Sequence, residues 1–244
     1  MKYRILATDY DGTLATHGAV DEATISTLRR AREAGIRLFM VTGREIADLK
    51  TVFSHLDLFE QIVAENGALI FDPAHGTEQI LAPTPPPEFV KALQERLVPM
   101  SVGRTIVATV EPYEHVVLEV IHQLGLEWHI IFNKGSVMVL PSSVNKATGL
   151  TALLKQLSIA PAQVVGVGDA ENDQAFLQMC GYPAAVANAL PSLKECAAYV
   201  TEAAHGAGVS ELISRMLDDS LPELKPKEPA AGQAGSGCGK TAVG

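Results

Sequence analysis

The sequence predicts an α/β protein: a doubly wound, Rossmann-like parallel sheet carrying a small α+β cap as an insertion. Three observations carry that expectation. Apolar strand-like runs alternate with helix-period segments from Ile5 to Phe71. The same alternation resumes at Lys146, after a break that opens on the proline-rich stretch from Pro83 to Pro87. Residues able to do chemistry fall just past the carboxyl ends of the expected strands, where open sheets of this kind bind ligands. The expected organisation is a discontinuous core of residues 1–83 and 143–219, a cap of residues 84–142 and a tail of residues 220–244.

The first strand is the apolar run from Ile5, ending at Asp9. Asp21 then opens a helical pattern in which Ile25, Leu28 and Ala31 share one face, and Gly35 stops it. Ile36–Val41 reads as the second strand, closed by Thr42-Gly43-Arg44, and a helix with Ile46, Leu49, Val52 and Phe53 follows. Two further strands, Gln61–Ala64 and Ala68–Phe71, flank the turn Glu65-Asn66-Gly67.

In the insertion, helices are expected over Glu88–Leu97 and His115–Leu124, with a strand over Thr105–Val110. Trp128–Phe132 and Ser136–Leu140 read as a hairpin about Lys134-Gly135. The returning core starts with a helix from Lys146 to Leu157 and a strand over Gln163–Val167, then the acidic loop 168–173 and a helix to Met179. A short strand over Ala184–Ala187 and helices over Leu190–Ala197 and Val209–Leu217 complete it. From Ser220 the chain is rich in Pro, Lys, Ala and Gly, a composition that cannot bury a core, so disorder is expected.

Composition narrows the function. Apolar residues make up 47% of the chain, enough for a globular core. The formal net charge of −9 argues against nucleic acid or an anionic membrane as partner. An anionic substrate must therefore be drawn in by local cations. No apolar run is long enough to span a bilayer, and Met1-Lys2-Tyr3-Arg4 leads straight into a strand without a signal-peptide core. Cys180, Cys196 and Cys238 are an odd count without metal-like spacing, and read as reduced thiols of a cytoplasmic protein.

The chemistry lies in four stretches: Asp9-Tyr10-Asp11-Gly12-Thr13-Leu14, Thr42-Gly43-Arg44, Asn145-Lys146, and Gly168-Asp169 with Asn172-Asp173. Phosphoryl transfer needs a nucleophile, a proton donor for the leaving oxygen, a cation to screen charge and donors for the non-bridging oxygens. As a carboxylate, Asp9 can attack phosphorus and form an acyl phosphate. Asp11, two residues on, can reach the leaving oxygen. With Asp169 and Asp173 these acids offer an all-oxygen sphere suited to Mg²⁺. Thr42 and the N–H of Gly43 are neutral donors, and Lys146 is a cation for phosphate and nucleophile.

The four stretches resemble the four motifs of the haloacid dehalogenase-like (HAD) hydrolase superfamily, over residues from about 3 to about 217. The insert between the second and third motifs, preceded by Glu65-Asn66-Gly67-Ala68, is similar to the Cof-type, or IIB, branch. The short cap is similar to that of archaeal phosphoglycolate phosphatases and, more distantly, of sucrose-phosphate phosphatases. The resemblance implies a Mg²⁺-dependent phosphatase with Asp9 as nucleophile and Asp11 as acid/base. It implies phosphate binding by Thr42, Gly43, Arg44, Lys146 and Asn172, and metal binding by Asp9, the Asp11 carbonyl, Asp169 and Asp173. The expected substrate is a small phosphorylated metabolite, of the phosphoglycolate or sugar phosphate class. Dehalogenation is not expected, because that chemistry does not use the second aspartate. Arg104, His129, Asn133 and Lys134 are the polar cap residues that are candidates to face the cleft.

Ala234–Thr241 fits the looser form of a P-loop, but no apolar strand precedes it. It is read as inactive in this chain, or as the start of a fused downstream nucleotide triphosphatase. A phosphomutase sharing Asp9 and Asp11, and a regulatory module attached to such an NTPase, are the alternative functions.

Overall fold

The computed structural model describes residues 2–133 and 135–224. The first half of the core runs β1 (Ile5–Thr8), α1 (Glu22–Glu33), β2 (Arg37–Val41), α2 (Ile46–Val52), β3 (Gln61–Ala64), β4 (Leu69–Asp72) and β5 (Thr77–Ile80). The inserted segment follows as α3 (Pro87–Glu95), β6 (Ser101–Val102), β7 (Val107–Val110), α4 (Glu114–Gln123), β8 (Trp128–Asn133) and β9 (Ser136–Pro141). The second half of the core is α5 (Lys146–Gln156), β10 (Val164–Gly168), α6 (Gln174–Met179), β11 (Tyr182–Ala185), α7 (Pro191–Cys196), β12 (Tyr199–Val200) and α8 (His205–Leu217). The P-loop-like stretch from Ala234 to Thr241, and Cys238 within it, lie outside the described residues.

The large sheet has the order β12-β11-β10-β1-β2-β3-β4-β5. Its strands from β12 to β3 pair in parallel, and β4 and β5 close one edge antiparallel. β1 is central, with Leu6 paired to Leu38 on one side and Val165 on the other, and all of its residues are buried. That explains its unbroken apolar run, because a parallel strand covered by helices on both faces has no solvent side. Helix α1 starts at Asp21, whose carboxylate accepts the Thr24 N–H at 2.7 Å, and buries Ile25, Leu28 and Ala31 as its periodicity predicts.

The inserted segment builds its own four-stranded antiparallel sheet, β6-β7-β9-β8. Its apolar centre is separate from that of the large sheet: Phe89, Leu93, Val107, Val117, Val120, Val137 and Val139 pack together under α3 and α4. A third, small cluster of Ala68, Ile106, Met138, Leu140 and Val144 joins the two layers.

Several elements differ from the sequence expectation, each for a local reason. β5 is an edge strand with all four residues exposed, so it carries no apolar signal. β6 and β12 are two-residue edge strands, too short for periodicity to show. β11 starts at Tyr182, two residues before the expected Ala184, because Pro183, which lacks an N–H, nonetheless occupies a ladder position opposite Gly166. β7 starts at Val107, not at Thr105, because the N–H groups of Thr105 and Ile106 leave the ladder and donate to the Glu65 carboxylate.

The turn between β3 and β4 is the most constrained backbone in the core. Glu65, Asn66 and Gly67 take φ values of 49°, 55° and 108° in succession. A Cβ at position 67 would lie 1.9 Å from the carbonyl oxygen of Asn145, so only glycine lets this turn reach the start of α5. Gly67→Ala is expected to cost about 3 kcal/mol or more of folding stability. A urea midpoint unchanged from the parent would contradict this.

Candidate active site

Three neighbouring strand ends supply the site. Asp9 follows β1 directly, its N–H donating to the Val167 carbonyl at 3.0 Å. Thr42 follows β2 and Asp169 follows β10, the two strands that flank β1. Neighbouring parallel strands lie about 4.8 Å apart, so residues one step past their ends converge with no further folding.

Asp9, Asp169 and Asp173 each place a carboxylate oxygen within 4.8 Å of the others, and all three are buried. Lys146, 1% exposed, inserts its ammonium among them at 2.5 Å from Asp9 Oδ1 and 2.5 Å from Asp173 Oδ1. It reaches that point from the first position of α5, whose start is set by a reciprocal cap. The Asn145 side chain accepts the Thr148 N–H, and the Thr148 hydroxyl accepts the Asn145 N–H, each at 3.0 Å.

Burial raises the Asp9 pKa to about 8, with the Asp173 charge adding to the effect and Lys146 opposing it. Burial pulls Lys146 the other way, but Asp173 and Asp9 outweigh it and hold the ammonium charged. Three buried carboxylates against one ammonium leave an excess of negative charge that a hard, oxygen-seeking divalent cation would neutralise, and the donor set fits such an ion.

The acidic loop is tied down locally. The Oδ2 of Asp173 accepts the N–H groups of Asp169 and Ala170, both at 2.9 Å. Because its Oδ1 is on Lys146, Asp173 shapes the loop as much as it charges the site. Thr13 donates its hydroxyl to Asp169 Oδ1 at 3.1 Å. The Asp11–Gly12 turn is held from behind by Asn188, which donates to the Gly12 carbonyl at 2.8 Å, and by the His205 ring at 2.9 Å. The sequence reading assigned no role to Thr13, Asn188 or His205. Thr13 is signalled by its place directly after the turn glycine, but Asn188 and His205 lie about 180 residues away and have no local signature.

Arg44, expected as a phosphate ligand, lies against two carboxylates. Its guanidinium grips Asp11 with two bonds, of 2.7 Å and 2.8 Å, and reaches Asp48 at 2.6 Å. Thr42 is fully buried, and its hydroxyl accepts the Arg44 N–H at 3.1 Å. Gly43 faces the inserted sheet, where the Met138 sulfur lies 2.9 Å from where a Cβ would be. Asn172 Nδ2 donates to the side-chain oxygen of Asn66, Oδ1, at 3.3 Å, and the Asn66 Nδ2 and Asn172 Oδ1 atoms are buried without partners among the described residues.

A cavity of about 480 Å³ opens between the layers. Asp9, Asp11, Gly43 and Arg44 form its floor, and Ile106, Ala108, Ser136 and Met138 of the insert form its roof. Of the polar cap residues singled out in the sequence, Arg104 turns to Glu78 at 2.9 Å, and His129, its pKa lowered by burial, does not line this cavity. Lys134 and the Asn133 side chain fall outside the described residues.

A doubly wound sheet with aspartates and a buried lysine gathered at its central strand ends is the architecture of an enzyme active site. Comparison with known proteins agrees. The family model described as haloacid dehalogenase-like hydrolase matches residues 6–110 and 105–213. The phosphoglycolate phosphatase of Methanothermobacter thermautotrophicus is 30% identical over 223 residues, covering 88% of this chain and 99% of that protein. A phosphoglycolate phosphatase of Saccharolobus solfataricus is 30% identical over 224 residues, covering 89% and 94%. Among solved structures, a haloacid dehalogenase-like hydrolase from Bacteroides thetaiotaomicron superposes with a TM-score of 0.78 at 20% identity, covering 88% of this chain and all of that one. A HAD subclass IIB sugar phosphatase superposes with a TM-score of 0.68 at 20% identity, covering 87% and 98%. The chain belongs to the haloacid dehalogenase-like hydrolases, in their Cof-type branch, and is a phosphatase of that family.

Proposed function

We propose that the protein hydrolyses a small phosphorylated metabolite through an aspartyl-phosphate at Asp9, with Mg²⁺ held by Asp9, Asp169, the Asp11 carbonyl and, directly or through water, Asp173. The observation that carries this reading is the buried group of Asp9, Lys146, Asp169 and Asp173, of which Asp9 opens into a cavity roofed by a separate layer. The ion would screen the repulsion between the anionic nucleophile and an incoming phosphate.

Asp9 supplies the attacking carboxylate oxygen, and Lys146 holds that carboxylate in place and keeps a positive charge beside it. Asp11, which lines the cavity with Asp9, serves the leaving oxygen as proton donor and the hydrolytic water as base. To do so it must exchange the fork of Arg44 for the leaving oxygen when substrate arrives. Thr42, Gly43 and Asn172 donate to the phosphoryl oxygens. The relatives named as phosphoglycolate phosphatases and the solved sugar phosphatase support a small leaving group, and a cavity of about 480 Å³ has room for one. Phosphate release from phosphoglycolate and from a panel of sugar phosphates, with and without Mg²⁺, tests the reading. No release from any of these esters with the ion present would end it.

The raised pKa of Asp9 makes cation binding pH-dependent. Below about 8 the folded site holds a proton that the incoming ion must displace. The Mg²⁺ concentration for half-maximal activity is expected to fall by up to about tenfold per unit between pH 6 and 8, then level off. A value flat across that range would show that Asp9 is already ionised without the ion.

A further inference from the structure

The turn Glu65-Asn66-Gly67 touches the Thr42-Gly43-Arg44 turn, the start of α5, Asn172 and the insert, and belongs to none of the four motif stretches. Its backbone is tied to the phosphate-binding turn: Glu65 N–H donates to the Arg44 carbonyl and Asn66 N–H to the Thr42 carbonyl, both at 3.0 Å. Gly67 abuts the start of α5 that carries Lys146. The Glu65 side chain points the other way, into the insert. It is 2% exposed, and among the described residues its carboxylate forms no salt bridge. It is instead filled by the segment just before β7: Oε1 accepts Arg104 N–H at 2.9 Å, and Oε2 accepts Thr105 N–H at 2.7 Å, Thr105 Oγ1 at 2.8 Å and Ile106 N–H at 3.0 Å. Gly103 completes the fit, since a Cβ there would stand 2.8 Å from the same carboxylate.

Four donors from three consecutive residues on one buried carboxylate are a strong, directional clasp. Ile106, held by it, lines the cavity roof and packs with Met138, which covers Gly43. We propose that Glu65 is a positioning residue: it fixes the inserted layer over the phosphate-binding turn, so that the roof meets the leaving group in one register. The inference rests on the phosphatase reading for its effect on turnover, and on geometry alone for the clasp itself.

The test compares Glu65→Gln and Glu65→Ala with the parent on a phosphate ester and an acyl phosphate. Glycerol 2-phosphate has a three-carbon, unactivated leaving group that on this proposal needs both the roof and a proton donor. Acetyl phosphate has a small, activated leaving group that needs neither the roof nor a proton donor. Ala removes all four acceptor contacts. Gln, with one oxygen replaced by an amide nitrogen, gives up the single bond to Arg104 and keeps the other three. For Glu65→Ala, kcat/KM on glycerol 2-phosphate is expected to fall about thirtyfold or more, mainly in kcat, while acetyl phosphate stays within about threefold of the parent. Glu65→Gln should fall between. Amide hydrogen exchange at Arg104, Thr105 and Ile106 should accelerate in the Ala variant while β1 and β10 stay protected.

Equal losses on both compounds would make Glu65 a stabiliser of the whole fold and overturn the proposal, as would exchange at 104–106 that does not change. If the parent turns over neither compound, nor any ester of the phosphoglycolate and sugar phosphate panel, the phosphatase reading is what has failed. The exchange comparison then decides the clasp by itself.

Discussion

Asp9→Asn is expected to abolish phosphate release, by at least about a thousandfold, in a protein that stays folded. The amide is nearly the same size as the carboxylate but has no anionic oxygen to form the acyl phosphate. The substitution also removes one of three crowded buried acids, and Lys146 keeps Asp173 as its partner. The metal-free variant should therefore melt no lower than the parent. Acid quenching during turnover of a radiolabelled ester should leave phosphate on the parent protein and none on the variant. Activity within tenfold of the parent would move the nucleophile elsewhere.

Lys146→Met should damage stability and catalysis together. The lysine is buried between Asp9 and Asp173, and methionine fills much of its volume without its charge. Removing one partner of a buried ion pair leaves the others uncompensated, which typically costs about 3–5 kcal/mol. The sign of the pH dependence follows from Asp9, whose folded pKa is already raised above its unfolded value. Without the ammonium it rises further, so the folded variant takes up a proton that the unfolded chain does not. Its stability is then greatest at low pH and falls as pH climbs through the folded pKa. In urea with EDTA, the deficit relative to the parent should be larger at pH 8 than at pH 6, and millimolar Mg²⁺ should recover part of it. Turnover should fall about a hundredfold or more even where the variant is folded. A variant with parental midpoint and activity would show that the lysine is not the counter-charge of this site.

The parts of the fold visible in the sequence are those whose burial is periodic. The strands β1, β2 and β3 and helix α1 announce themselves because both faces of the sheet are covered and the helix has one apolar stripe. β5, β6 and β12 lie at sheet edges, where solvent takes any side chain and pattern is lost. The site divides the same way. Asp9, Thr42 and Asp169 are legible because each follows a readable strand. Glu65 is not, because its partners are backbone N–H groups of residues 104–106, which are identical in every residue type but proline. The pairing of Arg44 with Asp11 is likewise invisible: residues 33 positions apart meet only because β1 and β2 are neighbours.

What the amino-acid order determined alone is the set of strand-and-helix units and the acids, lysine and threonine at their ends, since local periodicity and turn chemistry act over a few residues. Tertiary structure decided which of those ends are adjacent, which carboxylate faces an ammonium and which an arginine, and how the inserted layer is held over them. Those choices turn on burial and on distances between residues remote in the chain, and neither exists until the sheet has assembled.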